Sequence, residues 1–573
     1  MQRINLIKQW FNSQTHLYFV FVVLSIIPNI VLFFTEPMPF LLSIASVILP
    51  FSLMLCVLLF APKPGIVMWF LLPKVILDGG QLVLLYLFGE SVIAVDMFLN
   101  VTSSNASEAS ELLSNIFVVI SCVFLFYTLP TIVLMVHSTV LKDRLSKAFR
   151  RRWFKRGIVT LIVSGLICLT SPLFNYPFAL KNDVYPVNAL YNLCFAINKS
   201  QKNTNYKYTS ANFKFNSVKT QKADRKREVY VLVVGETGRA MEWSLYGYER
   251  ETTPNLQKLP NLVYFKDAIT QSNNTHKSVP VILSAASAEN YEILYEQKSI
   301  VTAFKEAGFR TVVIANQKLT TSMIGCFYRE ADTFIDMSAF HTGSYLKSLH
   351  DGALLPHLEQ ELTKTDDNLF IVLHTYGSHF NYYERYPKEF SLFKPDKADG
   401  IRATLKNELR NAYDNSIYYT DYVLSEIIKL LDKSNTCAVL AYLSDHGEDI
   451  FDDERHRYLH ASPIPTYYQL HIPYIYWFSD GYKDSFPDKF EWISRHSNLP
   501  VSTNSLFHTL LDIASIRTDV SDSSYALSSV FFEVRNRMYL GDHDDPVPFW
   551  KIGLKKQDFE MLDKWDMAYD KEQ

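Results

Sequence analysis

The first 175 residues and the rest of the chain follow different hydrophobic rhythms. Apolar residues come early in long runs. A membrane-crossing helix needs roughly 20 of them, and five stretches qualify: Leu17–Phe34, Phe40–Phe60, Ile66–Phe88, Leu113–Val136 and Gly157–Phe174. The third is interrupted by Pro73, Lys74, Asp78 and the Gly79–Gly80 pair, and reads as a kinked span. Beyond Glu228 the runs shorten and alternate. Val229–Val234, Thr311–Ile314, Leu369–Leu373, Ala438–Leu443 and Ile472–Phe478 read as strands, and Ile300–Ala307, Asn411–Leu431 and Thr503–Ile513 as helices. Continuous β-branched runs are the mark of strands buried on both faces. The predicted fold is therefore multi-domain: a five-helix transmembrane bundle (1–175), a membrane-surface and polar linker (176–227), and an α/β sandwich with a central, mostly parallel sheet (228–573).

Charge gives the bundle a direction. Lysine and arginine favour cytoplasmic loops. Arg3 and Lys8 precede the first span, Lys63 follows the second, and a block from Lys142 to Arg156 follows the fourth. The intervening loops carry Glu36, then Glu90, Asp96, Glu108 and Glu111. This alternation predicts a cytoplasmic N-terminus and an extracytoplasmic domain after Phe174. No small-residue cleavage site follows the first span, which reads as a retained anchor. Residues 199–227, rich in Lys, Asn, Ser and Thr, read as a linker with little core of its own. A net charge of -3 with 20% charged residues gives no basic excess for a nucleic-acid partner. The 14% aromatic content suits contact with lipid headgroups. Six scattered cysteines show no CxxC spacing and no disulfide framework, so pairing among Cys194, Cys326 and Cys437 stays open.

In parallel α/β sheets, functional groups gather beyond the carboxyl ends of strands. Glu236, His374, His379, Asp445 and His446 all fall there. Two carboxylates and an imidazole with an open position suit a catalytic zinc, or less well manganese. Acids at helix starts are ordinarily caps, and so are hydroxyls such as Thr275, which opens a predicted helix. A hydroxyl there also lies where backbone N–H groups meet an anion, and a metal can make it a nucleophile.

Together, Val233-Val234-Gly235-Glu236-Thr237, Ser244-Leu245-Tyr246-Gly247-Tyr248, Thr252-Thr253-Pro254, Thr275 with Ser278-Val279-Pro280, Gly377-Ser378-His379, Tyr413-Asp414-Asn415-Ser416-Ile417, Ser444-Asp445-His446-Gly447-Glu448 and Tyr458-Leu459-His460 resemble the phosphoethanolamine transferases of the Gram-negative envelope, within the alkaline phosphatase–sulfatase superfamily. The resemblance implies that Glu236, Thr275, Asp445 and His446 bind Zn2+, that Thr275 is the nucleophile, and that His379 and His460 hold phosphate or protonate the leaving oxygen. Lys277, Ser278, His374 and His456 are candidate substrate contacts. Asp449, Asp452 and Asp453 are expected to be solvated loop acids.

The implied reaction moves phosphoethanolamine from phosphatidylethanolamine to lipid A or the lipopolysaccharide core through a phospho-threonine. Its site would be the periplasmic face of a bacterial inner membrane, with reduced attraction of polymyxin-like peptides as a consequence. A lipoteichoic-acid-synthase-like glycerophosphate transferase and transfer to periplasmic glucans are the alternatives. A sulfatase is disfavoured, because no Cys/Ser-x-Pro-x-Arg motif is present.

Overall fold

The computed structural model describes residues 12–103, 116–223, 226–317, 322–340 and 349–571. Two compact units emerge, one from Met1–Phe98 with Leu112–Ala196, the other from Leu99–Glu111 with Ile197–Gln573. Arg3, Lys8, Glu108, Glu111 and the start of the fourth expected span lie outside the described residues.

The first unit is helical. Among the described residues, Gln14–Thr35, Phe40–Val57 and Ile116–Val140 are long and apolar enough to cross a membrane. The third expected span is a pair, Pro64–Phe70 and Leu72–Phe88, bent by 71°. Pro73 lies in the first turn of the second piece, where its missing N–H costs little, so the chain breaks there and restarts. The fifth expected span is a helix over Lys147–Cys168, but six basic residues in its first ten keep it below the apolar threshold of the others. Among the described residues, length and composition alone thus mark three spans, or four with the bent pair. Large side chains such as Phe34, Phe70, Phe126 and Leu173 are about 80% exposed, an arrangement that suits lipid and not water.

The charges inside the third span are satisfied internally. Asp78 is 1% exposed. Lys74 Nζ donates to both of its carboxylate oxygens at 2.9 and 2.8 Å, Tyr185 Oη donates to Oδ1 at 2.8 Å, and Tyr127 Oη to Oδ2 at 2.8 Å. Lys74 also donates to Ser25 O at 2.8 Å. A buried carboxylate is tolerable only when so enclosed.

The second unit is built on a seven-stranded sheet: β1 (Glu228–Gly235), β2 (Leu262–Tyr264), β3 (Arg310–Ala315), β4 (Thr333–Asp336), β5 (Leu369–His374), β6 (Cys437–Ser444) and β7 (Tyr474–Phe478). Their order is β2-β7-β6-β1-β5-β3-β4. The four pairings from β6 to β4 are parallel, while β7 runs antiparallel to both neighbours, so the sheet is mixed with a parallel centre. Alternate residues of β1 feed two cores. Tyr230, Leu232 and Val234 join Phe304, Leu506 and Leu510 on one face. Val229, Val231 and Val233 join Leu358, Ile417 and Leu424 on the other. The second layer includes the 28-residue helix Lys406–Lys433.

The stretch expected as a polar linker is structured. Residues up to Thr209 continue the helix Val187–Thr209, Tyr206 and Phe215 are buried in the sheet core, and Val218–Lys219 pairs with Ile516–Arg517. Composition hid this because a few scattered apolar residues, Tyr206, Phe213, Phe215 and Ala223, do the anchoring. The loop acids also differ from expectation. Asp452 accepts from Arg239 at 2.7 and 3.1 Å and from Arg410 at 3.2 Å, and Arg239 also donates to Glu242 at 2.6 Å. Asp449 accepts from Thr466 and Gln469, and Asp453 pairs with Arg455. The Arg239 side chain is fully buried and that of Asp452 nearly so. Asp452→Ala would leave a buried guanidinium short of a partner and should lower stability by about 3 kcal/mol, read as a lower midpoint in urea.

Candidate metal centre

Three neighbouring strands, β6, β1 and β5, deliver the site from their carboxyl ends. Glu236 follows β1 and Asp445 follows β6, tied laterally where Asp445 N donates to Gly235 O at 3.1 Å. On the other side the loop after β5 folds over Glu236. Gly377 has φ +54°, and a Cβ there would stand 2.5 Å from Glu236 O, so only glycine permits this approach. Ser378 N donates to Glu236 O at 3.0 Å. Thr237, also at positive φ, is held by its N–H on Asp445 Oδ1 and its hydroxyl on Glu236 Oε1.

Thr275 is the first residue of a helix over Thr275–Ile282. The cap is Asn274, whose side chain accepts from His276 N at 2.9 Å. That leaves the Thr275 hydroxyl for the site. It lies 3.1 Å from His446 Nε2 and 3.3 and 3.4 Å from the two oxygens of Glu236. His446 Nε2 is 3.3 Å from Asp445 Oδ2 and 3.6 Å from Glu236 Oε1. The His446 Nδ1 position faces Gly447 O at 2.9 Å, which fixes the tautomer with its Nε2 lone pair toward Thr275.

These residues fit a metal. Asp445 is fully buried, yet its Oδ2 has no hydrogen-bond partner, a cost that a cation would remove. Among the described residues, Glu236, His446 and His460 place one ligand atom each within 4.8 Å of one another. The donor set of carboxylate oxygens and imidazole nitrogen is one that zinc accepts. Burial raises the Asp445 pKa. Burial would lower that of His446, but Asp445 and Glu236 outweigh it and hold it above the ordinary value.

Two further histidines converge. The His460 ring lies tilted against that of His446, centroids 4.1 Å apart, and the His379 ring lies 6.0 Å from that of His460. Their Nδ1 atoms face Glu448 Oε2 at 2.6 Å and Phe380 O at 2.7 Å, leaving both Nε2 atoms available. Burial pushes His379 down to about 4, and burial with the nearby His446 pushes His460 down to about 3, so both rest neutral. His460 therefore sits with the ligand cluster.

The four candidate substrate contacts are engaged in different ways. Lys277 donates to Gly541 O and Asp542 O at 3.0 and 3.3 Å and lies 3.4 Å from Asp544. Ser278 donates to Asp445 O at 2.6 Å, bracing the ligand loop from behind. His374 is fully buried with neither ring nitrogen bonded, edge-on to Tyr328, and burial pushes it down to about 3. His456 is exposed in the turn after Asp453. Sequence reading missed Glu448, which holds His460 and accepts from Tyr382 at 2.9 Å, and which burial pushes up to about 8. It also missed Gln317, whose amide donates to Glu236 Oε2 at 2.8 Å. Glu448 stood in the Asp-His-Gly-Glu run and was visible; nothing local marked Gln317.

A family model described as Sulfatase matches residues 228–516. The chain is 30% identical to the phosphoethanolamine transferase EptC of Escherichia coli over 318 residues, 54% of each chain. It thus spans about half the length of the curated relatives it matches. The zinc complex of the C-terminal periplasmic domain of EptC from Escherichia coli superposes with a TM-score of 0.54 at 27% identity, covering 60% of this chain and 98% of that one. Across 90% of this chain and 98% of the other, the fold follows the integral membrane lipooligosaccharide phosphoethanolamine transferase A of Neisseria meningitidis, with a TM-score of 0.72 and 22% identity.

Proposed function

Because this chain belongs to the sulfatase family, with half its length matched by that family's model, we propose that it transfers phosphoethanolamine from phosphatidylethanolamine to lipid A or the lipopolysaccharide core. The observation that carries the reading is the Thr275 hydroxyl, freed from capping and set 3.1 Å from His446 Nε2 and 3.3 Å from Glu236. Glu236, Asp445 and His446, with Thr275 Oγ1, would hold the zinc. Bound there, zinc lowers the pKa of the hydroxyl and offsets negative charge at phosphorus.

This chain's residues do the rest. Thr275 enters the cycle as the alkoxide, its proton released to water, and its Oγ1 bonds to phosphorus as the bond to the diacylglycerol oxygen breaks. An anionic phosphate beside His379 and His460 favours their charged forms against the effect of burial. His460, oriented by Glu448, then gives the departing oxygen its proton from Nε2. In the second half the neutral His460 takes the proton of the acceptor hydroxyl, that oxygen bonds to phosphorus, the bond to Oγ1 breaks, and Thr275 returns as the alkoxide. The N-terminus of the helix Thr275–Ile282 favours the phosphoryl charge throughout. The topology proposed with this chemistry counts Lys147–Cys168 as a fifth span and puts residues 197–571 in the periplasm of a bacterial inner membrane. Adding a cationic group to lipid A lowers the attraction of polycationic peptides such as polymyxin.

The test uses full-length protein with phosphatidylethanolamine and lipid A, read by mass spectrometry. One phosphoethanolamine gained per acceptor, with diacylglycerol released in equal amount, is the expected result. Glycerophosphate on the acceptor would overturn the reading in favour of a lipoteichoic-acid-type enzyme.

A further inference from the structure

A second polar site lies in the helical unit. A cavity of about 140 Å³ is lined by Asn29, Glu36, Tyr176 and Asp183, with Leu32, Phe33 and Val92 among its apolar walls. By volume it has room for about four or five waters or for a small headgroup. No lysine or arginine is among its described lining residues.

The polar groups are held in place. Asp183 accepts from Tyr176 Oη at 2.9 Å and from Ala179 N at 2.6 Å. Glu36 accepts from Ser91 N at 2.6 Å. Asn29 is 3% exposed. Its amide nitrogen donates to Tyr185 O at 2.7 Å, and its carbonyl oxygen, on the opposite side of the amide, has no hydrogen-bond partner. Tyr185 is itself fixed through its hydroxyl on Asp78. The cavity therefore offers two oriented carboxylates and a buried carbonyl oxygen seeking a donor, beside apolar surface. A buried acceptor without a donor is costly unless a ligand supplies one.

We propose that this cavity binds the primary ammonium headgroup of phosphatidylethanolamine, as a holding site for the lipid in the helical unit, separate from the metal centre. A primary ammonium carries three N–H donors and a positive charge, matching Asn29 Oδ1 and the carboxylates of Glu36 and Asp183. A trimethylated headgroup has the charge without the donors, and an anionic headgroup meets repulsion. The identity of the lipid rests on the transferase reading; the preference for a primary ammonium rests on the cavity alone.

The experiment uses full-length Thr275→Ala protein, which cannot consume the lipid, in native mass spectrometry against phosphatidylethanolamine and phosphatidylcholine of the same acyl chains. Phosphatidylethanolamine should be retained preferentially. Glu36→Gln with Asp183→Asn should weaken that retention about tenfold, the loss of charge-assisted hydrogen bonds, and weaken retention of phosphatidylcholine less, so that the preference shrinks. Ser46→Phe, which narrows the cavity from another wall and keeps both carboxylates, should weaken it too if the double variant proves unstable. Equal retention of the two lipids, or a preference that survives every folded variant, overturns the proposal. A preserved preference alongside failed transfer by the unmodified chain would sink the transferase reading and leave this site standing.

Discussion

Replacing Thr275 with alanine should reduce phosphoethanolamine transfer by at least about 10³-fold while leaving the melting temperature of the metal-loaded protein within a few degrees. The expectation is sharp because the geometry separates two roles that a helix-opening hydroxyl often combines. Asn274 caps the helix, so Asn274→Ala should cost about 1 kcal/mol of stability and affect transfer less. Thr275 contributes no cap bond, so its loss falls on chemistry. Measuring initial rates with headgroup-labelled phosphatidylethanolamine distinguishes them. Transfer by Thr275→Ala at a tenth of the normal rate or more would mean another atom attacks phosphorus.

Stripping the metal should produce the second large effect, with opposite signs in two variants. Bound at 100 times its Kd, an ion that binds only the folded state stabilises it by about 2.7 kcal/mol. Chelation should therefore lower the melting temperature and abolish transfer together, with zinc restoring both. Asp445→Asn removes a buried carboxylate whose Oδ2 lacks a partner and which lies beside Glu236. The variant should bind zinc at least about 100-fold more weakly, since a ligand and its charge are gone. In chelator it should melt no lower than the parent, because the like-charge cost is relieved. Thermal melts with and without zinc check both signs. A parent protein whose melting is indifferent to zinc would remove the metal from the mechanism.

Much of this was legible in the residues. Continuous apolar strands ending in Gly-Glu and Ser-Asp-His set the parallel centre of the sheet, because only strands covered on both faces can afford such runs. Glu236, Asp445 and His446 followed from strand ends, and the structure gathers them around Thr275. The antiparallel β7 was not legible, since an apolar run looks the same in either direction. The acids from Asp449 to Asp453 were misread because their arginine partners, Arg239 and Arg410, are distant in sequence. The same holds for Lys277, which reads as a phosphate contact beside Thr275 but is spent on the loop at Gly541–Asp544. The fifth expected span was judged by its apolar half, while the helix that forms also takes in the basic half.

All six cysteines are unpaired in this fold, and Cys437 is enclosed in the central sheet. Among the described residues no disulfide ties one loop to another, so the loops around the candidate metal centre owe their shape to packing and to buried ion pairs such as Arg239 with Asp452. A thiol reductant should therefore leave the urea midpoint of this chain where it lies in oxidising buffer.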